Sequence, residues 1–324
     1  MMATAADLAA GRYRQVARTE RALVALIQRI WRRLSAATIA EDLEGEAGAA
    51  ILAAVVAGQI SVAQGAQAFV AASMAAQGGA GVAEAALTAA AFAGFAPGGG
   101  SLETLLFVPA IGVRQRLAAG MPAQEAMLGG LADMAMYATT TVADTARSSA
   151  QVAMAADPQV VAYTRVVNLP ACSRCIVLAG QQYAYSEGFL RHPRCDCQTV
   201  PLREKEWAGV QSPRDLYEAM SEAERRRTFT VAGSRAVGEG ADLGQVVNAR
   251  RGMSRPDAAT TSEGTTRRGL YGRRVRRTGG GTARIPGERY ARTTQSRLTP
   301  EEIFRRAEGR AEQLRLLRRY GYLV

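Results

Sequence analysis

All four cysteines and the only histidine of this chain fall within 26 consecutive residues, Cys172 to Cys197. The pattern is Cys172-x-x-Cys175, a gap of sixteen residues, then His192-x-x-Cys195-x-Cys197. A Cys-x-x-Cys turn brings two thiolates within reach of one ion, and a second pair from a nearby turn completes a tetrahedron. Soft thiolates with a borderline imidazole suit zinc in a closed structural site. Five candidates compete for four positions, and the spacing leaves open which four bind. Two other readings stand beside the metal: small core cysteines without an ion, and a disulfide or redox pair. No basic region followed by an apolar run and a cleavage site opens the chain, so it is expected to be made in a reducing cytoplasm. Metal is favoured over disulfides there.

A catalytic zinc is a separate question. "PACSRC" resembles the Pro-Cys-x-x-Cys half of zinc deaminases, which also need a Glu two residues after a His or Cys ligand. Here His192 is followed by Pro193 and Arg194, and no cysteine has Glu at that distance. Surplus ligands point to a closed site rather than one that keeps a position open for water. No catalytic residue is assigned.

The expected fold class is α+β and mostly α. It consists of an Ala-rich helical N-terminal half, a small β-knuckle carrying the Cys/His cluster, an Arg-rich arm and a C-terminal helix. Residues 1–156 form the helical region. In "LAAGRYRQVARTERALVALIQRIWRRL" apolar residues recur at three- and four-residue spacing: Val16, Leu23, Leu26, Ile27, Ile30 and Leu34. Ser61 with Gln64 reads as a capping box opening another helix. Ser101 reads as the cap of a helix through Leu117, and Pro122 as the first turn of one running toward Ala155. The most apolar stretches are short or interrupted, so no transmembrane span is expected.

From residue 157 the pattern changes. "VVAYTRVVN" and "CQTVPL" read as strands flanking the cysteine cluster at 172–197, in a module covering 157–252. Ser221 with Glu224 opens a helix, and "LGQVVNARRG" suggests another. Residues 253–297, rich in Gly, Thr, Ser and Arg, read as a flexible linker. Thr299-Pro300-Glu301-Glu302 opens a C-terminal helix within 298–324, with Ile303, Leu314 and Leu317 on its apolar stripe.

Net charge is +11, and its location matters more than its size. Residues 225–324 hold 23 arginines and 9 acids, hence +14, whereas residues 1–224 hold 17 basic and 20 acidic residues, hence −3. Arg267, Arg268, Arg273, Arg274, Arg276 and Arg277 are the densest group, suited to an acidic surface or to nucleic-acid phosphates. Only Tyr271 interleaves with them, which leaves no stacking platform for single strands.

"FLRHPRCDCQTVP" resembles the signature of the phage Mu F-like (MuF) minor head proteins, actinobacteriophage type. The matching residues are Cys172, Cys175, His192, Pro193, Cys195 and Cys197. Residues 221–254 and the closing "RLTPEEIFRRAEGRAEQLRLLRRYGYLV" are similar to members of that family as well. The resemblance runs from about Val160 to the C-terminus. It implies a minor capsid protein of the phage head, made in the host bacterial cytoplasm beside the portal. Its role would be head morphogenesis, DNA packaging or ejection. Implied partners are the portal protein and the major capsid protein of the prohead, with packaged double-stranded DNA as a further one and no membrane. Some members fuse a toxin domain to this module, and nothing in this sequence supplies one.

Two alternatives belong to other classes. A capsid maturation protease would have to draw its base from His192 or Lys205. The first is better explained by the metal cluster, and the second lies in the solvated run "REKEW". A free DNA-binding regulator would carry a compact basic reading helix rather than arginines scattered through a Gly/Thr-rich arm.

Overall fold

The structure is a computed structural model. It describes residues 3–80, 82–185, 188, 197–204, 207, 209–250, 253, 258–263, 279, 281–283 and 292–323. It is mostly helical with two small antiparallel sheets, the α+β composition expected from the sequence. The chain divides into two units, Met1–Asn168 with Gly180–Gln211, and Leu169–Ala179 with Ser212–Val324.

The first unit begins with α1 (Ala5–Trp31), opened by a capping box in which Thr4 Oγ1 accepts from the Asp7 N–H and Asp7 Oδ2 from the Thr4 N–H. α2 (Ile39–Glu44), α3 (Glu46–Gln64), α4 (Ala66–Ala75), α5 (Leu102–Ala118) and α6 (Ala123–Ala155) follow. Their shared core gathers Val16, Leu23, Ile27 and Trp31 from α1 with Ile51 and Val55 from α3, Leu106 and Val113 from α5, and Met134 and Val142 from α6. Such burial is the main force holding a bundle of Ala-rich helices, whose individual contacts are small. Alanine and glycine allow close approach: at Gly130 of α6 a β-carbon would overlap Val113 Cγ2 and come within 2.8 Å of Trp31 Cζ2.

Ser101 caps α5 as read from the sequence, accepting from the Thr104 N–H at 3.3 Å, and Pro122 stands immediately before α6. Ser61 does not open a helix. α3 runs through it, because continuing the turn satisfies the backbone without a side-chain cap, and the break falls at Gly65. α3 and α4 together, Glu46–Ala75, are long and apolar enough by length and composition to cross a bilayer. In this fold Ile51, Val55, Val62, Val70 and Met74 of the pair are buried against other helices of the unit.

A three-stranded antiparallel sheet completes this unit, in the order β2–β1–β3, with β1 (Ala162–Val166), β2 (Gln182–Tyr183) and β3 (Gln198–Leu202). The register pairs Ala162 with Leu202 and Val166 with Gln198, and Tyr163 stacks on Tyr183 at 5.3 Å between ring centroids. Both long strands are buried along their whole length. Their apolar side chains meet Ala5 and Ala9 of α1 on one side and Met154 with Val70 on the other.

The second unit holds α7 (Ser173–Ile176), α8 (Pro213–Ala219), α9 (Glu222–Phe229), α10 (Val231–Gly238), α11 (Leu243–Ala249), α12 (Pro300–Arg306) and α13 (Arg310–Arg319). It also holds a sheet in the order β4–β6–β5, from β4 (Thr260–Glu263), β5 (Thr282–Ala283) and β6 (Arg292–Leu298). The Ser221–Glu224 capping box forms as read. Two expectations change. The stretch 253–297, read as a linker, contributes three strands, because its β-branched threonines suit a pleated surface and Thr261 and Thr293 are buried there. The C-terminal helix is two helices, α12 and α13. The chain turns extended at Ala307, and Gly309 caps the next segment. Arg297 of β6 lies fully buried, donating to Gln245 Oε1 at 3.2 Å and to the Tyr320 carbonyl at 3.1 Å, with its guanidinium 4.4 Å from the Tyr322 ring centroid.

Candidate metal centre

Cys172 and Cys175 flank a single helical turn. Cys172 has extended backbone and stands at the N-cap of α7, where its Sγ accepts from the Cys175 N–H at 3.4 Å. The turn continues with Ile176 N–H donating to the Cys172 carbonyl at 3.1 Å. The two sulfurs end 3.5 Å apart. That is far beyond the roughly 2 Å of a disulfide bond. Two thiolates on one tetrahedral zinc, each about 2.3 Å from it, would be separated by roughly 3.8 Å. The pair therefore fits two corners of a zinc tetrahedron. Cys172 is exposed and Cys175 buried.

Cys197 belongs to the first unit and is fixed by two arginines. It precedes β3 and is buried. Its carbonyl accepts from Arg147 Nη1 at 3.1 Å, and its Sγ from Arg165 Nη2 at 3.3 Å. Arg147, from α6, is also held by Asp144 at 2.5 Å. Arg165 lies at the centre of the first sheet, opposite Thr199 of β3. A cation at a sulfur is a setting in which a thiolate ligand is stable. Groups that orient a ligand in this way normally accompany metal sites.

The structure thus brings Cys172 and Cys175 together and gives Cys197 a defined, cationic surrounding. His192 and Cys195 lie outside the described residues, as do Lys205 and the six arginines Arg267, Arg268, Arg273, Arg274, Arg276 and Arg277. Among the described residues no three His, Cys, Asp or Glu side chains gather in metal-binding geometry. Arg147 and Arg165 are absent from the sequence reading. The available signal was an arginine set between apolar neighbours in "AYTRVV", a position that demands a buried partner.

Residues 114–223, about a third of the chain, match the family model described as VG15 protein. The match indicates a phage or viral gene-product family and takes in α6, the first sheet and the whole of 172–197. No curated protein and no solved structure matches the chain.

Proposed function

We propose that this chain is a MuF-like minor capsid protein of a tailed phage, associating with portal and prohead and assisting head assembly, DNA packaging or ejection. One observation carries the reading. The segment with the MuF-like His-Pro-x-Cys-x-Cys signature lies inside the stretch that matches a phage gene-product family. In this reading the protein resides in the phage head and has no catalytic residue. Its arginines at 267–277 meet acidic portal surfaces or packaged double-stranded DNA.

In this reading a structural zinc is held by Cys172, Cys175, Cys197 and either Cys195 or His192. A bound structural zinc supplies on the order of 10 kcal/mol to local folding. The 3.5 Å separation of the first two sulfurs supports this ligand role.

The test is co-expression of the cognate portal and major capsid proteins with and without this chain, followed by intact-mass spectrometry of the purified proheads. The expected result is co-purification with the capsid protein's mass unchanged. A capsid protein shortened only in the presence of this chain would establish the maturation protease instead. Proheads lacking the chain altogether would remove the head assignment.

A further inference from the structure

We infer that the outward face of α1 is a docking surface for the phosphate backbone of double-stranded DNA. At 100° per residue, Arg14, Arg18, Arg21, Arg29 and Arg32 project within an arc of about 80° along roughly 27 Å of helix. All five are exposed, as is Arg33 at the edge of the arc. None of these guanidiniums forms an ion pair with a described residue. Arg32 alone makes a hydrogen bond, from Nε to the Gln28 carbonyl.

The opposite face fixes the helix. Val16, Leu23, Ile27 and Trp31 are buried in the bundle core, and Trp31 Nε1 donates to the Met127 carbonyl at 3.0 Å. Arg12 is buried too, donating to the carbonyls of Val62 at 2.7 Å and Ala146 at 3.3 Å. The array is therefore a rigid rod whose backbone needs no further ordering on binding.

The charge is local. Residues 1–35 carry seven arginines against Asp7 and Glu20, a net +5, while residues 36–224 hold ten basic and eighteen acidic residues, a net −8. Asp7 lies on the same face, at the N-terminal end of the stripe, with its carboxylate engaged by Thr4 and within electrostatic reach of Arg14, and Glu20 lies well off the arc and is half-buried. A general excess of arginine does not explain a stripe set in an otherwise acidic stretch.

The residues between the arginines select the partner. Ala22, Ala25 and Gln28 are exposed between the arginines, with Gly11 just before them. A membrane-surface helix needs bulky apolar residues next to its cations, and those of α1 face inward. Single strands need aromatic platforms, which this face lacks. A straight array of cations matches a duplex, which presents about one negative charge per 1.7 Å of its axis. Contacts of this kind position a protein without reading bases. The inference is separate from the arginines at 267–277 and does not rest on the head assignment.

The experiment uses the full chain with Arg267, Arg268, Arg273, Arg274, Arg276 and Arg277 all changed to Gln, which removes the densest competing group, and the contribution of α1 is read as a difference between variants in that background. Fluorescence anisotropy with a random-sequence 30-base-pair DNA duplex is recorded over a salt series. Replacing Arg14, Arg18, Arg21, Arg29 and Arg32 by Gln should make the log–log salt slope shallower by about 4 to 5 and weaken binding at least about tenfold at 0.1 M salt. The fivefold Arg→Lys variant should keep the slope. An unchanged slope and affinity in the Gln variant, with its helical circular dichroism intact, would overturn the inference. Should that variant lose helicity, the Arg18→Glu/Arg29→Glu pair decides by the same readout. Equal or tighter binding of the unsubstituted stripe to single-stranded DNA, or to vesicles rich in phosphatidylserine, would overturn the duplex assignment.

Discussion

Arg165 Nη2 donates to Cys197 Sγ at 3.3 Å, and both residues are buried. The guanidinium thus joins the middle of β1 to the residue that leads into β3, across a strand pair already held by its backbone ladder. A hydrogen bond between a buried charged group and its partner contributes more than a neutral one, on the order of 1.5–3 kcal/mol. Arg165→Met should therefore destabilise the first unit by about 2 kcal/mol, seen as an earlier midpoint in urea unfolding followed by Tyr fluorescence. An unchanged midpoint would mean that packing of the methionine fully compensates the lost contact.

Zinc content is the direct readout of the cysteine pair. The purified chain should carry one zinc per molecule by elemental analysis, and Cys175→Ser should bring it well below stoichiometric. Chelation of the native protein should expose thiols to a disulfide reagent and loosen residues 160–200 in hydrogen exchange, leaving the amides of α3, α5 and α6 protected. A native protein with no zinc and full protection in that segment would dismiss the ion.

Adjacent glycines on α6 should respond with opposite signs. Alanine is favoured over glycine in a helix by up to about 1 kcal/mol. At Gly129 an added β-carbon meets only the end of the Arg116 side chain, which can move, so Gly129→Ala should be neutral to slightly stabilising. At Gly130 it meets Val113 and the Trp31 ring within the core, where overpacking costs roughly 1–3 kcal/mol and outweighs the helical gain. Thermal unfolding of the two variants side by side checks the sign.

Glu302 supplies a pH dependence. Hydrogen bonds from Arg305 and then Arg306 hold its carboxyl down at about 2, well below the usual carboxylate range. A carboxyl lowered by folding adds stability above its unfolded value, and that stability is lost as pH falls through the folded one. The contribution should be complete above about pH 4.5 and disappear toward pH 2. Because Arg305 and Arg306 are largely exposed, it is small, roughly 0.5–1 kcal/mol. Glu302→Gln should lower stability by that amount at pH 7 and by only a small fraction of it at pH 2, as measured by denaturant titration at both values.

Local chemistry explains what could be read from the sequence. Ser101, the Ser221–Glu224 pair and Thr299 announce helix starts because capping needs only residues within one turn. "AYTRV" reads as a strand because β-branched residues favour the pleated backbone. Cys172 and Cys175 are legible as a pair because three residues of separation is one helical turn. Ser61 misleads, since it offers the same cap inside a helix whose packing on α1 and α6 settles the matter. The β4–β6 pairing joins residues 29 to 38 positions apart, and composition favouring solvent says nothing of such a partner. The partners of Arg165 and Arg147 are illegible for the same reason, because the carbonyl and sulfur they serve arrive from elsewhere in the chain.

The first unit is made of two segments, with Leu169–Ala179 belonging to the other unit in between. On the ribosome this order has a consequence. β1 is synthesised before β2 and β3, so the nascent first unit holds a strand of five residues, otherwise buried throughout, that has no partner until Tyr183 has emerged and keeps one edge open until Leu202 has. Exposed strand edges recruit other chains. A message truncated near codon 168 would therefore encode a sticky product. The shortest translation product able to close its sheet would end just past Leu202, where β3 finishes.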